Sequence, residues 1–397
     1  MLLSAASFCF ASGLAWTLNR LSLNPWRRSA GQHWTERARL LYPARKSARM
    51  NTWLIPIAIA VWCYVAWPAG DFVFPAFFGL VGTLFAGFFF NRELFPGVTF
   101  PQWLHLLAAL LFLFFLWPGI LLPAIFLMPA DFRPLTWIVA AGIFLLLVAL
   151  LFGLGLRLLR IFHLLQPATE RLKILVAEVS AQMNVPVRAT WILQTWVPNA
   201  AAFPHTRQLL FTDKLLAAAP DDEIKAVCAH ELGHLNEPRK VLVVRSLALF
   251  AFYPLIFARP LGAIGTNGTS VYLALVIVSL LLFLAGIRVA RSMEKRADKI
   301  AAESQATTAV YAQALKRIYE LNQAPAVTPR RSNKVHPDLY DRMLAAGVTP
   351  DFPKPLPPKG RCWTSYLVMA CFVAVPVGIA FARTCRAALP LPGIDVH

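Results

Sequence analysis

Pro220-Asp221-Asp222-Glu223, then His230-Glu231-Leu232-Gly233-His234, then Asn236-Glu237-Pro238-Arg239-Lys240 follow one another in a single short stretch of this chain. A proline followed by three carboxylates is a helix start, because the proline needs no hydrogen bond there and the acids complement the positive end of the helix dipole. On that helix the two histidines lie four residues apart, one turn up the same face. Both imidazoles can therefore reach one Zn²⁺, while the glutamate beside the first handles a water molecule. The helix stops near Asn236 and Glu237, since a residue before proline is biased away from helical geometry. Arg239 and Lys240 then mark an interface, and an apolar stretch runs from about 241 to 258. A candidate metal helix thus runs directly into a membrane span.

The rest of the chain agrees with that setting. At 397 residues it is long enough for two or three ordinary domains, but a hydrophobic fraction of 58% marks a membrane protein. Apolar stretches of spanning length recur at about 1–18, 52–69, 72–90, 104–128, 135–156, 241–258, 270–287 and 363–382, so about eight transmembrane helices are expected. The first lacks a basic leader and a small-x-small cleavage site before Arg20, and reads as a retained span. Pro56, Pro75, Pro118, Pro123, Pro254 and Pro376 interrupt these stretches, which membrane helices accept when neighbours re-satisfy the freed carbonyls.

The formal net charge of +18 is sorted by loop and does not gather on one face, which excludes a nucleic-acid reading. Arg20, Arg27, Arg28, Arg37, Arg39, Arg45, Lys46 and Arg49 fill the first loop, within about residues 20–50. Arg157, Arg160, Arg171, Lys173, Arg239 and Lys240 fill the segment that carries the two histidines, and a third basic group runs from Arg288 to Arg361. By the positive-inside rule these three regions are cytoplasmic. Six cysteines scattered over spans and flanks imply no disulfide framework; Cys228 reads as a small buried residue on the apolar side of the motif helix. Within the spans, ionisable residues are scarce beyond His105 and Arg245.

Residues 164–240 mix periods. An amphipathic helix is expected over Thr169 to Met183, short strands over Val187 to Leu193 and Gln208 to Thr212, and a short helix over Asp213 to Ala218. Beyond the seventh span, Arg288 to Tyr319 reads as one long helix, followed by a polar, proline-rich connector to Lys359.

A zinc site needs a third ligand, and this second part offers a candidate. Glu294 and Asp298 are four apart in Arg291-Ser292-Met293-Glu294-Lys295-Arg296-Ala297-Asp298, so they share a helix face and repel unless something compensates them. A zinc site would do so, with Glu294 on the metal and Asp298 accepting the ring N–H of a histidine ligand. Neutralisation by Lys295, Arg296 and Lys299 would do so equally well. Depth bears on the choice. At about 1.5 Å per residue, His234 stands roughly 10 Å before span six and Glu294 roughly 10 Å after span seven, so a tight hairpin brings both to similar depth. Ala297 would let the two helices approach closely.

His-Glu-Leu-Gly-His at 230–234, a transmembrane hairpin, and then Arg-x-x-Glu-x-x-Ala-Asp at 291–298 resemble the family of integral-membrane zinc metallopeptidases that includes the CAAX prenyl protease and the bacterial heat-shock membrane protease. The likeness covers about 165–345. Val335-His336-Pro337-Asp338-Leu339-Tyr340-Asp341-Arg342 resembles the family's His-Pro segment, which implies that His336 and Arg342 stabilise a developing oxyanion. Pro198-Asn199-Ala200-Ala201-Ala202-Phe203 is similar to the family's Asn-Ala segment, which implies that Asn199, Ala200 and Ala201 form an edge strand pairing with substrate. It carries one alanine more than the family segment before its aromatic.

The resemblance implies a mainly α, polytopic membrane protein with a small α+β gluzincin-type catalytic domain split by a transmembrane hairpin. The expected parts are a transmembrane region over 1–163, catalytic parts over 164–240 and 288–361, the hairpin over 241–287, and a last helix with a short tail over 362–397. One Zn²⁺ per chain would be held by His230, His234 and Glu294, with Glu231 as the base and Asp298 behind the ligands. Expected partners are the lipid bilayer and peptide or membrane-protein substrates, with no nucleic acid; the expected location is a bacterial inner membrane with the catalytic part cytoplasmic. Two other readings stand beside it: a signalling antirepressor-type membrane metallopeptidase, which needs an external sensor domain, and a non-catalytic scaffold or transporter with a structural His/Glu cluster.

Overall fold

The computed structural model describes residues 2–66, 72–305, 307–329, 336–371, 374 and 378. The chain divides into two compact units, 1–100 with 323–331 and 354–397, and 101–322 with 332–353. Among the described residues seven helices are long and apolar enough to cross a membrane: Leu2–Ser22, Trp34–Ala66, Val73–Leu94, Phe100–Leu127, Pro134–Leu151, Arg239–Ala263 and Thr266–Glu303. They fall on the first seven expected stretches. Of the eighth, residues 363–371 are helical and most of the remainder lies outside the described residues.

In the first unit small residues let the first three spans approach closely. A Cβ on Gly82 would stand 2.5 Å from the Phe8 carbonyl oxygen, and the Ser12 hydroxyl donates to the Gly82 carbonyl at 3.0 Å. Ala11, Ala15 and Leu18 are buried there with Ile55, Ile59 and Ala86. At the loop end Arg27 donates to Glu93 through Nη2 at 2.7 Å, so one of the basic first-loop residues is tied to an acid at the end of Val73–Leu94.

The second unit carries four strands, β1 Leu165–Pro167, β2 Ala189–Leu193, β3 Ala200–Phe203 and β4 Gln208–Thr212, in the order β1-β2-β4-β3. β2 and β4 run parallel and the outer pairs antiparallel, and β3 is an edge whose register sets Ala200 opposite Phe211 and Phe203 opposite Gln208. The helix Glu170–Met183 begins at the cap the sequence offers, with Thr169 Oγ1 accepting from the Leu172 amide at 3.4 Å. Asp213–Ala218 is likewise capped by Thr212, and the motif helix spans Asp221–Leu235 behind Pro220.

One expectation fails. Arg288 to Tyr319 is not a single helix: Thr266–Glu303 ends, and a new helix begins at Thr308 and runs to Leu321. The Ser304 hydroxyl turns back onto the Ala301 carbonyl at 3.0 Å, and Thr307 takes an extended conformation at φ −137°. The Ser304 hydroxyl thus competes with the backbone for a hydrogen bond at this point, and serine and threonine favour helix ends over helix interiors for that reason. The break lets the second helix turn back along the first.

Candidate metal centre

The motif helix is buried along nearly its whole length. Ile224, Cys228 and Leu232 are fully buried on its apolar side, His230 and Glu231 are buried, and the His234 side chain is 12% exposed. Burial and the negative charge of Glu231 push the Cys228 thiol up to about 12, in keeping with a packing residue. At the start of the helix Glu223 accepts a bidentate pair from Arg317 at 2.6 and 2.8 Å, which ties it to Thr308–Leu321. At its end Arg296 donates to the Gly233 and Asn236 carbonyls, each at 3.2 Å, and so satisfies backbone groups the helix leaves open.

The long hairpin helix packs beside it at a point where both present small residues. A Cβ on Gly233 would come within 3.2 Å of Ala297 Cα and 3.3 Å of Ala297 Cβ. This close approach delivers Glu294. One ligand atom from each of His230, His234 and Glu294 lies within 4.8 Å of the others, the only such group of three among the described residues. His230 Nε2 stands 3.7 Å from Glu294 Oε2, and His234 Nε2 stands 3.5 Å from Glu294 Oε1.

The outward nitrogens are occupied. Around His230, the Tyr311 hydroxyl donates to Asp298 Oδ1 at 2.6 Å and receives from Arg342 Nη2 at 2.9 Å. Its remaining lone pair faces His230 Nδ1 at 2.9 Å, so the ring nitrogen must be the donor there. His234 Nδ1 lies 2.8 Å from the carboxylate of Glu237, which can only accept. Both rings thereby turn Nε2 toward the centre. Burial opposes a charge on His234, but hydrogen bonds with Glu237 and Glu294 and the charge of Glu231 lift its pKa to about 10. Burial likewise works against the Glu237 carboxylate, which His234 and Arg245 nevertheless hold below its ordinary value.

Two imidazoles and a carboxylate converging in a buried site are the donor set for zinc, with a fourth position left over. The Glu294 carboxylate supports the fit: it is buried, faces both histidines, and has only the half-exposed His336, with Nδ1 2.7 Å from Oε2, on its solvent side. A cation would satisfy it.

The other residues singled out in the sequence fall as follows. His336 reaches Glu294 and is 57% exposed, so it borders the centre from the solvent side. Arg342 lies deeper, 6% exposed, with Nε and Nη2 donating to Asp298 at 2.8 and 2.6 Å. Ala200 and Ala201 lie in β3; Asn199 precedes it, and its amide donates to Thr212 Oγ1 at 2.9 Å. Tyr311 and Glu237 went unread in the sequence. Nothing local marks Tyr311, whose partner is 81 residues away, and Glu237 looked like part of a helix stop.

Comparison with known proteins agrees on this segment. The model of peptidase family M48 matches residues 167–347. A curated "Protease HtpX homolog" from Sulfurihydrogenibium sp. is 25% identical over 199 residues, 45% of this chain and 65% of the relative. One from Thermoplasma acidophilum is 33% identical over 134 residues, 31% of this chain and 41% of the relative, and one from Syntrophobacter fumaroxidans is 30% identical over 161 residues, 36% and 57%. The chain thus spans between 41% and 65% of the length of these relatives. The residues matched by the family M48 model contain the His230, His234 and Glu294 cluster whole, together with Asp298, Tyr311, His336 and Arg342, so this segment of the chain is similar to peptidase family M48.

Proposed function

We propose that the chain is a zinc-dependent, membrane-embedded metalloendopeptidase that cleaves peptide bonds at the cytoplasmic membrane surface, in the quality control or processing of membrane proteins. The observation that carries the reading is the convergence of His230 Nε2, His234 Nε2 and the Glu294 carboxylate in a buried site whose outward ring nitrogens are already satisfied. A zinc ion held by these three would supply Lewis acidity, polarising a carbonyl and lowering the pKa of a water molecule.

The chain's own groups do the rest. Glu231, one residue after the first histidine and buried beside the ligands, takes a proton from the attacking water and passes it to the departing amine. The open edge of β3 offers backbone N–H and C=O groups to an extended peptide, and its alanines put little side chain in the way. His336 reaches the centre from the solvent side and is the second electrophile for the carbonyl oxygen. Arg342 acts one step back, by holding Asp298 and Tyr311 in place.

An apolar cavity of about 630 Å³ starts where β3 ends, walled by Ala202, Phe203, Trp117, Leu242 and Phe252. It supports substrates with apolar flanks. The sorting of positive loops supports a cytoplasmic site, and the bilayer and a bacterial inner membrane as its setting. The decisive experiment is Glu231→Gln in the folded, zinc-loaded protein, assayed on an unstructured reporter peptide. Cleavage should fall by about 10²- to 10⁴-fold; undiminished cleavage overturns the reading.

A further inference from the structure

Arg245 is an ionisable residue within an apolar span, and its surroundings account for it. It lies in the helix Arg239–Phe250, about two turns past Pro238, and reaches back toward the motif helix. Its Nη1 donates to both oxygens of Glu237, at 2.6 and 2.7 Å. The Glu237 side chain has no exposure at all, and the Oε1 that receives from Arg245 also receives from His234 Nδ1 at 2.8 Å. One buried carboxylate therefore joins a candidate zinc ligand to a cation inside a membrane span.

We propose that Glu237 is the positioning residue of His234, and that Arg245, by bridging both carboxylate oxygens, holds Glu237 correctly turned for that task. The proposal rests on the zinc reading above. A carboxylate behind a ligating imidazole fixes the tautomer, turns the ring and raises the basicity of the opposite nitrogen. A pair of charges in this place has little rationale in stability alone, since well-packed apolar residues of the same volume would often hold the two helices as well or better. An ionisable group at membrane depth calls for a functional partner, and the partner here is the carboxylate that touches the ligand.

The pair also stands beside the substrate side of the site. His205, which follows β3, lies 3.3 Å from the hydroxyl of Ser246, the neighbour of Arg245. Arg245 and His205 both line the apolar cavity that begins at the end of β3. The near end of the transmembrane hairpin thus aims one of the two histidines.

The test uses the full chain in detergent micelles, with Zn²⁺ affinity measured by competition with a chromophoric chelator and the ligand field read from the Co²⁺-substituted spectrum. Glu237→Gln is expected to weaken Zn²⁺ binding by about 10- to 100-fold and to shift the cobalt bands. Because Glu237→Gln leaves Arg245 without its anion, the double variant Glu237→Gln/Arg245→Met serves as the second arm. It removes both charges together, is expected to fold as the parent does, and should show the same loss of affinity. If the double variant binds Zn²⁺ as tightly as the parent with an unchanged cobalt spectrum, Glu237 is a clamp between helices and the proposal is wrong. A parent that binds no stoichiometric Zn²⁺ overturns the metal reading itself, a result distinct from variants that match a zinc-binding parent.

Discussion

His230 and His234 sit one turn apart on one helix, and the chain supports them from opposite directions. Behind His230 stands a relay of Asp298, from the C-terminal extension of the second hairpin helix, and Tyr311 and Arg342, from two helices that follow it. Behind His234 stands a single carboxylate, Glu237, anchored to Arg245 before the hairpin has crossed anything. The ring geometry is the same in both cases, Nδ1 outward and Nε2 inward, but the first support is assembled by tertiary folding and the second by nine consecutive residues of chain. A centre built this way cannot form on either catalytic part alone.

That contrast can be broken most forcefully at Asp298. Asp298→Ala leaves Arg342 buried without its anion and removes the acceptor of the Tyr311 hydroxyl. A loss of about 3–5 kcal/mol of stability is expected, along with zinc content. Denaturant unfolding with metal analysis checks both, and a variant as stable as its parent would show that the relay is not one unit.

Tyr311→Phe is the next step down. The ring, almost fully buried, keeps its packing, and only the hydroxyl shared by His230, Asp298 and Arg342 is lost. The expected cost is about 1–3 kcal/mol, with weaker zinc binding, measured by the same chelator competition. An effect as large as that of Asp298→Ala would mean that the hydroxyl and not the carboxylate governs His230.

Gly233→Ala acts on both histidines together. The new methyl would meet Ala297 at 3.2–3.3 Å, so the two helices must part by a few tenths of an ångström, and Glu294 moves with them. About 1–3 kcal/mol of destabilisation is expected. Zinc affinity should fall, and a Gly233→Ala protein with unchanged affinity would show that the centre tolerates a looser fit.

The smallest effect belongs to the opposite side of the helix. With its thiol pushed up to about 12, Cys228 remains protonated at pH 8 and should resist alkylation in the folded protein, reacting only after denaturation. Mass spectrometry of the labelled peptide checks this, and rapid labelling in the native state would mean that the apolar face opens.

How much of this was legible in the residues follows the range of the interactions. The motif helix, its start at Pro220, the i and i+4 histidines, the Glu294 and Asp298 pair and the small residue at Ala297 are all local patterns, and each lies where the period puts it. The seven described spans follow from apolar runs whose signal needs no partner. The break at 304–307 was missed because a helical period continues on both sides of it, and only the competing hydroxyls mark the stop. Tyr311 was missed because its significance lies in His230, far away in the chain. In the sequence Glu237 reads only as part of a helix stop, and Arg245 as one of the few ionisable residues within the spans. Their meaning appears only when a guanidinium two turns on is seen to fold back.

The open edge β3 has a consequence for selectivity. Four residues long, three of them alanine, it would, under the proposed function, grip the backbone of an extended chain while reading almost none of its side chains. Such a strand would by itself choose little among sequences. In a protein whose site lies where helices leave the bilayer, choice would then pass to whatever decides which segments come loose at that depth, so that selection is by address and state of unfolding and not by the letters of a cleavage motif.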